Sequence, residues 1–311
     1  MTFANKSLRI AICGVQGIGQ VHARIFQSLG ADVCAVLGSS EETALNAARQ
    51  LEESFGIKAK VFHRLDDLFE KTKPDAVSIC TPAKYHYDAI LASLDRNIPV
   101  FCEKPIFWKE GINRKEIEEK LGAIEKHTNR KVFVNTSNAS FMDHVIEAIG
   151  SKKDIRLFDF RFFSQGPHIG RDIGLDLLPH GISLLLRLFG PQKIERLTEE
   201  IDNNNYKCSF SYAECNVNFD FQELAGGNKE FVIGIDGRIF TRIQEGFGAT
   251  YRVCLEDSQT GKKIYCEDPF EVYIRRFLRY CLNGLQKEED SFEEAAANLR
   301  LMAEILLGKG Q

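Results

Sequence analysis

The chain has 311 residues, 44% of them hydrophobic and 27% charged, a composition typical of an ordinary globular protein with room for two domains. The formal net charge of −4 and the scattered Lys and Arg residues give no reason to expect a nucleic-acid partner. No apolar run approaches the roughly 20 residues that span a bilayer, and the short polar N-terminus is unlike a secretory signal, so we expect no membrane partner.

The nine cysteines do not form a recognisable framework. Their number is odd, their spacing is scattered and no CxxC pair occurs, so the pattern indicates neither a disulfide scaffold nor a structural zinc site. We therefore expect no bound metal and a reducing, cytoplasmic location.

The first half of the chain alternates apolar strands with helices. Predicted strands cover residues 8–13, 32–37, 60–62, 75–80, 99–102 and 131–135, and predicted helices cover 17–29, 41–55, 65–71, 85–95 and 114–127. Short connections between such elements imply a parallel sheet with right-handed crossovers and helices on both faces. We predict an α/β fold whose N-terminal Rossmann domain spans residues 1–127.

The second half has a different pattern, in which long alternating segments replace the strand–helix repeats. Predicted strands cover residues 155–163, 194–201, 206–212, 215–221, 230–235 and 238–243, and helices cover 142–149, 270–282 and 292–307. Asp236-Gly237 is a strong signal for a two-residue hairpin. We predict a C-terminal α+β domain over residues 128–311, with a mostly antiparallel sheet.

A glycine-rich turn, Gly14-Val15-Gln16-Gly17-Ile18-Gly19, follows the first predicted strand. Glycines in this position let the backbone approach a pyrophosphate, whose charge the helix N-terminus favours. The dinucleotide fingerprint has glycine at its third position, where this chain has Gln16, so the match is imperfect. Its place between a strand and a helix is nevertheless the context that the motif requires, and we predict that this turn binds a dinucleotide.

The second strand ends in Leu37-Gly38-Ser39-Ser40, without the acidic residue that would bind ribose hydroxyls and repel a 2′-phosphate. Ser39 and Ser40 could bind that phosphate, so the sequence favours NADP over NAD. Alternatively, the two serines cap the helix that begins near Glu41, and both roles are compatible.

Two further segments follow strands and would line the nicotinamide side of the crevice. Thr81-Pro82 ends the fourth strand, and His86 comes in the first turn of the next helix, where it either contacts ligand or lies on the surface. Glu103-Lys104-Pro105 ends the fifth strand, and because parallel strands deliver their chemistry at the carboxyl end, Lys104 is a candidate to meet a ligand.

Asp176 and His180 are four residues apart and share one face if a single helix contains both. An imidazole beside a carboxylate is a plausible proton acceptor. The alternative is that Asp176 caps a helix and His180 is a core residue, and spacing alone does not separate the two.

The chain resembles the Gfo/Idh/MocA family of glucose–fructose oxidoreductase, inositol dehydrogenase and rhizopine-catabolism proteins. The resemblance lies in the order and context of four segments, Gly14–His22, Cys80–Pro82, Glu103–Pro105 and Asp176–His180. The resemblance covers nearly the whole chain. It implies a Rossmann domain and an open-sheet domain in a homodimer or homotetramer, with Lys104 as the catalytic lysine and Asp176 and His180 as active-site residues. Gln16, the missing acid and the stretch 135–138 depart from the family pattern.

The reaction implied is hydride transfer between nicotinamide and a hydroxyl or keto carbon of a sugar or polyol. His180 would take the hydroxyl proton, Lys104 would polarise the same oxygen, Glu103 would orient Lys104, and Asp176 would orient His180 or bind substrate. Two alternatives stay open: a catalytically silent NAD(P)-binding regulator, and a reductase of a non-sugar carbonyl or imine.

Overall fold

A computed structural model describes residues 7–127, 132–152, 154–246, 250–283 and 291–308. The chain divides into two compact units, one made of Met1–Asn135 with Phe270–Ala296 and the other of Thr136–Pro269 with Ala297–Gln311. The sequence-based division into domains at residue 127 stays a prediction. The segment Phe270–Ala296, which comes late in the sequence, belongs to the same compact unit as Met1–Asn135.

The first part of the chain forms the predicted alternation of strands and helices. Its elements are β1 (Arg9–Cys13), α1 (Ile18–Ser28), β2 (Asp32–Leu37), α2 (Glu41–Phe55), β3 (Lys60–Phe62), α3 (Leu65–Thr72), β4 (Ala76–Ile79), α4 (His86–Leu94), β5 (Val100–Cys102), α5 (Arg114–Glu125) and β6 (Val132–Val134). The sixth strand was predicted from residue 131, which lies outside the described residues.

The six strands form one parallel sheet in the order β3-β2-β1-β4-β5-β6. This is the doubly wound order in which the winding direction reverses between β1 and β4. Ligands of such sheets bind beyond the carboxyl ends of the strands at that reversal. The glycine turn after β1 and the Thr81 turn after β4 lie on either side of it.

The remaining elements contain eight strands and four helices within the described ranges. They are α6 (Phe141–Ile149), β7 (Leu157–Ser164), α7 (Arg171–Phe189), β8 (Glu195–Ile201), β9 (Asn205–Tyr212), β10 (Cys215–Glu223), β11 (Glu230–Ile235), β12 (Arg238–Glu245), β13 (Arg252–Asp257), β14 (Lys263–Cys266), α8 (Pro269–Asn283) and α9 (Ser291–Leu307). Strands β13 and β14 were not predicted.

The eight strands form one sheet in the order β14-β13-β12-β11-β7-β10-β9-β8, antiparallel except for the β10–β7 pair. The predicted hairpin joins β11 to β12, with positive φ at Asp236 and Gly237. One face of the sheet is apolar and carries the buried rings of Phe160, Phe219 and Phe231. The predicted fold class is therefore confirmed.

Helix α8 completes the core of the first unit. The ring of Phe277 lies 6.2 Å from Phe26, 5.4 Å from Phe101 and 5.6 Å from Phe133, measured between centroids. All nine cysteines lie in described ranges and are free thiols. None of the helices in the described part of the chain is long and apolar enough to cross a membrane.

Candidate functional site

The glycine turn between β1 and α1 is closely packed at two glycines and open at the third. A Cβ on Gly14, whose φ is 85°, would lie 2.7 Å from the Cys80 carbonyl oxygen, and a Cβ on Gly19 would overlap the Gly14 carbonyl oxygen. A Cβ on Gly17, just before α1, would meet nothing within 4 Å. Since backbone N–H groups and positive potential are available at a helix start, an open approach there fits a pyrophosphate.

The other two predicted residues of this turn differ in exposure. Gln16, which replaces the usual glycine, is exposed, and Ile18 is the first residue of α1 and half-buried.

At the end of β2, Gly38 lets the strand approach the next helix. A Cβ there would lie 2.6 Å from the Ala44 backbone nitrogen. Ser40 caps α2: its hydroxyl accepts a hydrogen bond from the Thr43 N–H at 3.2 Å, and its own N–H donates to Thr43 Oγ1 at 2.9 Å. Ser39 is exposed, and its hydroxyl lies 3.3 Å from Thr43 Oγ1. The capping interpretation of Ser40 is therefore correct.

The turn after β4 carries an unsatisfied hydroxyl. Thr81 Oγ1 is buried and has no hydrogen-bond partner among the residues that the structure describes. A buried polar atom without a partner costs free energy unless a ligand or water satisfies it. Thr81 together with the close approaches at Gly14 and Gly19 therefore fits a bound dinucleotide at this edge, next to the exposed Pro82.

His86 is buried, with 1% of its surface exposed, so it is not a surface residue. Its Nε2 lies 2.5 Å from the Thr81 carbonyl oxygen and its Nδ1 lies 2.9 Å from the Pro105 carbonyl oxygen. Burial lowers the pKa of His86 and outweighs the carbonyl contacts, which raise it. Both ring nitrogens face backbone, so His86 braces the turns that follow β4 and β5.

Lys104 lies directly beyond β5, at the same edge of the sheet as the glycine turn, and is half-buried. The preceding residue, Glu103, belongs to a buried network. Glu103 Oε1 lies 2.8 Å from His22 Nε2 and accepts a hydrogen bond from Asn135 Nδ2 at 2.6 Å. The backbone N–H of Glu103 donates to the Ile79 carbonyl at 2.8 Å, which ties this turn to β4. The Lys104 backbone is therefore held on a rigid support.

His22 forms the centre of that network and was not predicted as a functional residue. Its Nδ1 lies 2.9 Å from Ser78 Oγ and 3.1 Å from Cys80 Sγ. Burial lowers the pKa of His22, but the contacts with Cys80 and Glu103 outweigh it and raise the pKa to about 10. Burial likewise raises the pKa of Glu103, and the hydrogen bonds and charge of His22 reverse this to a value below the ordinary one. The two groups form a buried ion pair at neutral pH.

The second unit holds Asp176 and His180 on α7, which begins at Arg171. Both residues therefore lie on one helix face, and Asp176 is not a helix cap. His180 Nδ1 lies 2.9 Å from the amide nitrogen of Asn138, and the His180 ring lies 5.2 Å from the Phe162 ring. The Asn138 amide carries both a donor and an acceptor, so it can serve either tautomer of the imidazole.

Two residues that the sequence analysis did not predict, His168 and Glu223, lie close to Asp176. Glu223 is buried with 1% exposure, its Oε2 lies 2.8 Å from His168 Nδ1, and its Oε1 is buried without a hydrogen-bond partner in the described ranges. Donor atoms of His168, Asp176 and Glu223 all lie within 4.8 Å of one another. Burial raises the pKa of Glu223, and contact with Asp176 raises it further. Glu223 continues the inward alternation of the strand predicted at 215–221, which is the signal that could have found it.

The model of an oxidoreductase family with an NAD-binding Rossmann fold, Gfo/Idh/MocA, matches residues 8–153. Inositol 2-dehydrogenase of Corynebacterium glutamicum is 31% identical over 121 residues, which are 38% of this chain and 34% of that protein. D-glucoside 3-dehydrogenase of Escherichia coli is 35% identical over 103 residues, 32% of this chain and 28% of that protein. The matched segments thus span about a third of these relatives.

A solved structure extends the likeness in fold over nearly the whole chain. UDP-N-acetylglucosamine 3-dehydrogenase from Acidithiobacillus ferrooxidans is similar with a TM-score of 0.74 at 15% identity, covering 97% of this chain and 98% of that one. At this level of identity the similarity concerns the fold of the two proteins.

Proposed function

We propose that this chain, which belongs through residues 8–153 to the Gfo/Idh/MocA family of oxidoreductases, is a dehydrogenase acting on a carbinol carbon of a sugar, polyol or sugar derivative. The observation that carries the proposal is the place of Lys104, on a braced turn at the same sheet edge as the glycine turn and Thr81. The names of the inositol and glucoside dehydrogenases support the substrate class.

The residues proposed to hold the dinucleotide are the glycine turn with Gly14, Gly17 and Gly19, the β2 end with Gly38, and Thr81. When bound, the nicotinamide ring supplies the acceptor or donor of hydride. At the adenosine end we propose NAD, in place of the NADP that the sequence alone favours. Ser40 is committed to capping α2, and that helix has two glutamates in its first turn, whose charge opposes a 2′-phosphate.

Lys104 supplies a positive charge and hydrogen-bond donors to the oxygen of the reacting carbon. A fixed ammonium group stabilises the negative charge that develops there as the hydroxyl proton leaves. The His22–Glu103–Asn135 network positions the Lys104 turn and takes no part in proton transfer.

His180 holds or takes the hydroxyl proton at Nε2, with Nδ1 paired to Asn138. With Asn138 accepting from Nδ1–H, Nε2 is the basic nitrogen that takes the proton; with the amide donating to Nδ1, the proton lies on Nε2 and can be returned. A base that operates in both directions suits a reversible dehydrogenase. The homodimer or homotetramer, which the family resemblance implies, and the cytoplasmic location, which the cysteine pattern favours, remain part of the proposal.

The test combines binding and turnover on purified protein. NADH and NADPH are titrated by nicotinamide fluorescence, and oxidation of myo-inositol, glucosides and nucleotide sugars is followed through reduced nicotinamide. Lys104→Ala should lower turnover by roughly 100-fold or more, the scale of a lost charge-stabilising donor, while leaving NADH affinity unchanged. Lys109→Ala is the matched control, because Lys109 is exposed and pairs with Glu116 at 2.7 Å.

Near-normal turnover of Lys104→Ala would refute the proposed role of this lysine. Tight NADH binding without oxidation of any compound in the panel would instead support the regulator alternative. Oxidation or reduction restricted to a non-sugar carbonyl or imine would keep the dehydrogenase and overturn its substrate class.

A further inference from the structure

Arg242 in the second unit is a guanidinium group for which the described residues supply no counter-ion. It lies on β12, half-buried, with its guanidinium carbon 4.4 Å from the centroid of the Phe231 ring and 5.7 Å from that of Phe162. No hydrogen bond or ion pair to it is present among the residues that the structure describes. Burial lowers the pKa of Arg242. The charge is thus stacked on aromatic rings, and no residue of the described ranges provides an anion for it.

A second arginine of the same strand, Arg238, has a guanidinium group that is paired with a carboxylate. Arg238 lies four residues earlier, and its Nε and Nη2 donate to the two carboxylate oxygens of Asp257 at 3.0 and 2.7 Å. It also donates to the Ala148 carbonyl at 2.8 Å. Strand periodicity places both arginines on one face, yet among the described residues only Arg238 has a carboxylate partner.

An unpaired guanidinium in a partly desolvated position is costly for the folded protein. Stacking on Phe231 and Phe162 recovers part of the cost through cation–π attraction. The remaining hydrogen-bonding capacity is five N–H donors in a planar fork, which matches the oxygens of a carboxylate or a phosphate. Buried charges in proteins are ordinarily paired, so the missing partner points to a ligand.

The position of Arg242 connects it with the proposed proton acceptor. The Phe162 ring that carries the guanidinium also contacts the His180 ring, at 5.2 Å between centroids. The cation and the imidazole therefore adjoin the same aromatic side chain within one unit. A sugar or polyol with its reacting hydroxyl at His180 would extend an adjacent substituent toward Arg242.

We propose that Arg242 binds an anionic group of the substrate, a carboxylate or a phosphate, and so makes this protein selective for acidic sugars or polyols. The inference rests on the proposed function in one respect, namely that the reacting hydroxyl of the substrate binds at His180. The anion site itself is defined by Arg242, Phe231 and Phe162, and its occupancy can be measured without any hydride transfer.

Binding is measured by calorimetry on the full chain saturated with NADH, using D-glucuronate, glucose 6-phosphate and neutral glucose as probes. We expect at least one anionic probe to bind tenfold or more tightly than glucose, as a charge-assisted bidentate contact implies. Comparing the two anions distinguishes carboxylate from phosphate recognition. Arg242→Gln and Arg242→Met should remove this preference and leave glucose affinity unchanged.

Arg161→Gln is the control, since Arg161 is a half-exposed arginine of the same sheet, paired with Glu230 at 3.3 Å. It should keep the preference. Thermal unfolding identifies a variant that fails to fold, and Arg242→Met retains an apolar contact with the two rings. Equal or absent binding of the three probes by the native protein, or an unchanged preference in both Arg242 variants, would overturn the inference. Anion selectivity without turnover would refute only the proposed function.

Discussion

The turn at Glu103 is held in place by His22, a residue whose role cannot be recognised from the sequence. His22 is fully buried on α1, and its ring lies 5.3 Å from Phe101 in the core of the first unit. In a helical sequence a histidine among apolar residues looks like one more core side chain. Its partners, Cys80 and Glu103, come from two other strand ends, so only the assembled sheet brings them together.

The buried pair of His22 and Glu103 predicts a specific pH dependence of stability. Since the folded-state pKa of His22 is raised from 6.5 to about 10, its stabilisation is full below pH 6.5 and is lost as the pH rises toward 10. The pKa of Glu103 is lowered from 4.5, so its stabilisation is present above pH 4.5 and is lost as the pH falls further. The contribution of the pair is therefore largest between these two ordinary pKa values.

The change to measure is His22→Gln, which places a neutral amide donor near Glu103 and removes the charge. Breaking a buried pair costs about 3–5 kcal/mol, so urea unfolding should show a loss of that order at about pH 5.5 that shrinks at about pH 9. His127→Gln is the control, because His127 is a partly exposed histidine 3.7 Å from Asp95. A difference that is constant across this pH range would contradict the buried ion pair.

A site residue could be predicted where its role follows from the residues next to it in the sequence. The glycine turn and Lys104 are readable, because a strand end and its following turn are contiguous in sequence. Arg242 and Glu223 were missed, although each continues an inward alternation, because a charged residue at the end of a strand is usually solvated. Their significance comes from neighbours on other strands and on α7.

At the scale of elements, local signals decided which boundaries were predictable. Helix α2 begins and ends where predicted, because Ser40 forms a capping box with Thr43 and Gly56 adopts the left-handed conformation at its end. Strand β13 was missed since Val253, Cys254 and Leu255 are buried consecutively, which erases the period of two. The first half of α7 was ambiguous because glycines and Pro179 interrupt its helical pattern.

One glycine of α7 is required by the packing of this helix on the sheet. A Cβ on Gly181 would lie 2.7–3.0 Å from three atoms of the Phe219 ring, which is closer than real Cβ contacts allow. Gly181→Ala should therefore lower the free energy of unfolding by about 1–3 kcal/mol, the cost of overpacking a core. Thermal and urea unfolding measure it.

Gly122→Ala in α5 is the matched control for this substitution. A Cβ there would meet nothing within 4 Å, so the higher helix propensity of alanine should stabilise the protein by about 0.5–1 kcal/mol. Equal effects of the two substitutions would show that the Gly181–Phe219 approach is not a packing constraint.

At the scale of the whole molecule, the first unit is discontinuous in sequence. Its parallel sheet is complete by residue 134, yet its core includes α8 from near the end of the chain. Periodicity alone predicts α8 as a helix but cannot assign it to a core, because the apolar face of an amphipathic helix fits many surfaces. The aromatic cluster of Phe26, Phe101, Phe133 and Phe277 supplies that assignment.

Phe277→Ala should consequently destabilise the N-terminal elements, α1 and β5, against which Phe277 packs. Phe277 is fully buried, so truncation costs about 3–5 kcal/mol through lost burial and a cavity among the three other rings. The cavity borders β5, which directly precedes the Lys104 turn, and α1, which directly follows the glycine turn. NADH affinity measured by fluorescence should therefore fall along with stability. Phe240→Ala is the control: Phe240 is equally buried in the second unit, and its loss should reduce stability while leaving NADH affinity unchanged. If both variants lowered NADH affinity alike, the dependence of the dinucleotide edge on α8 would have to be abandoned in favour of a general loss of folding.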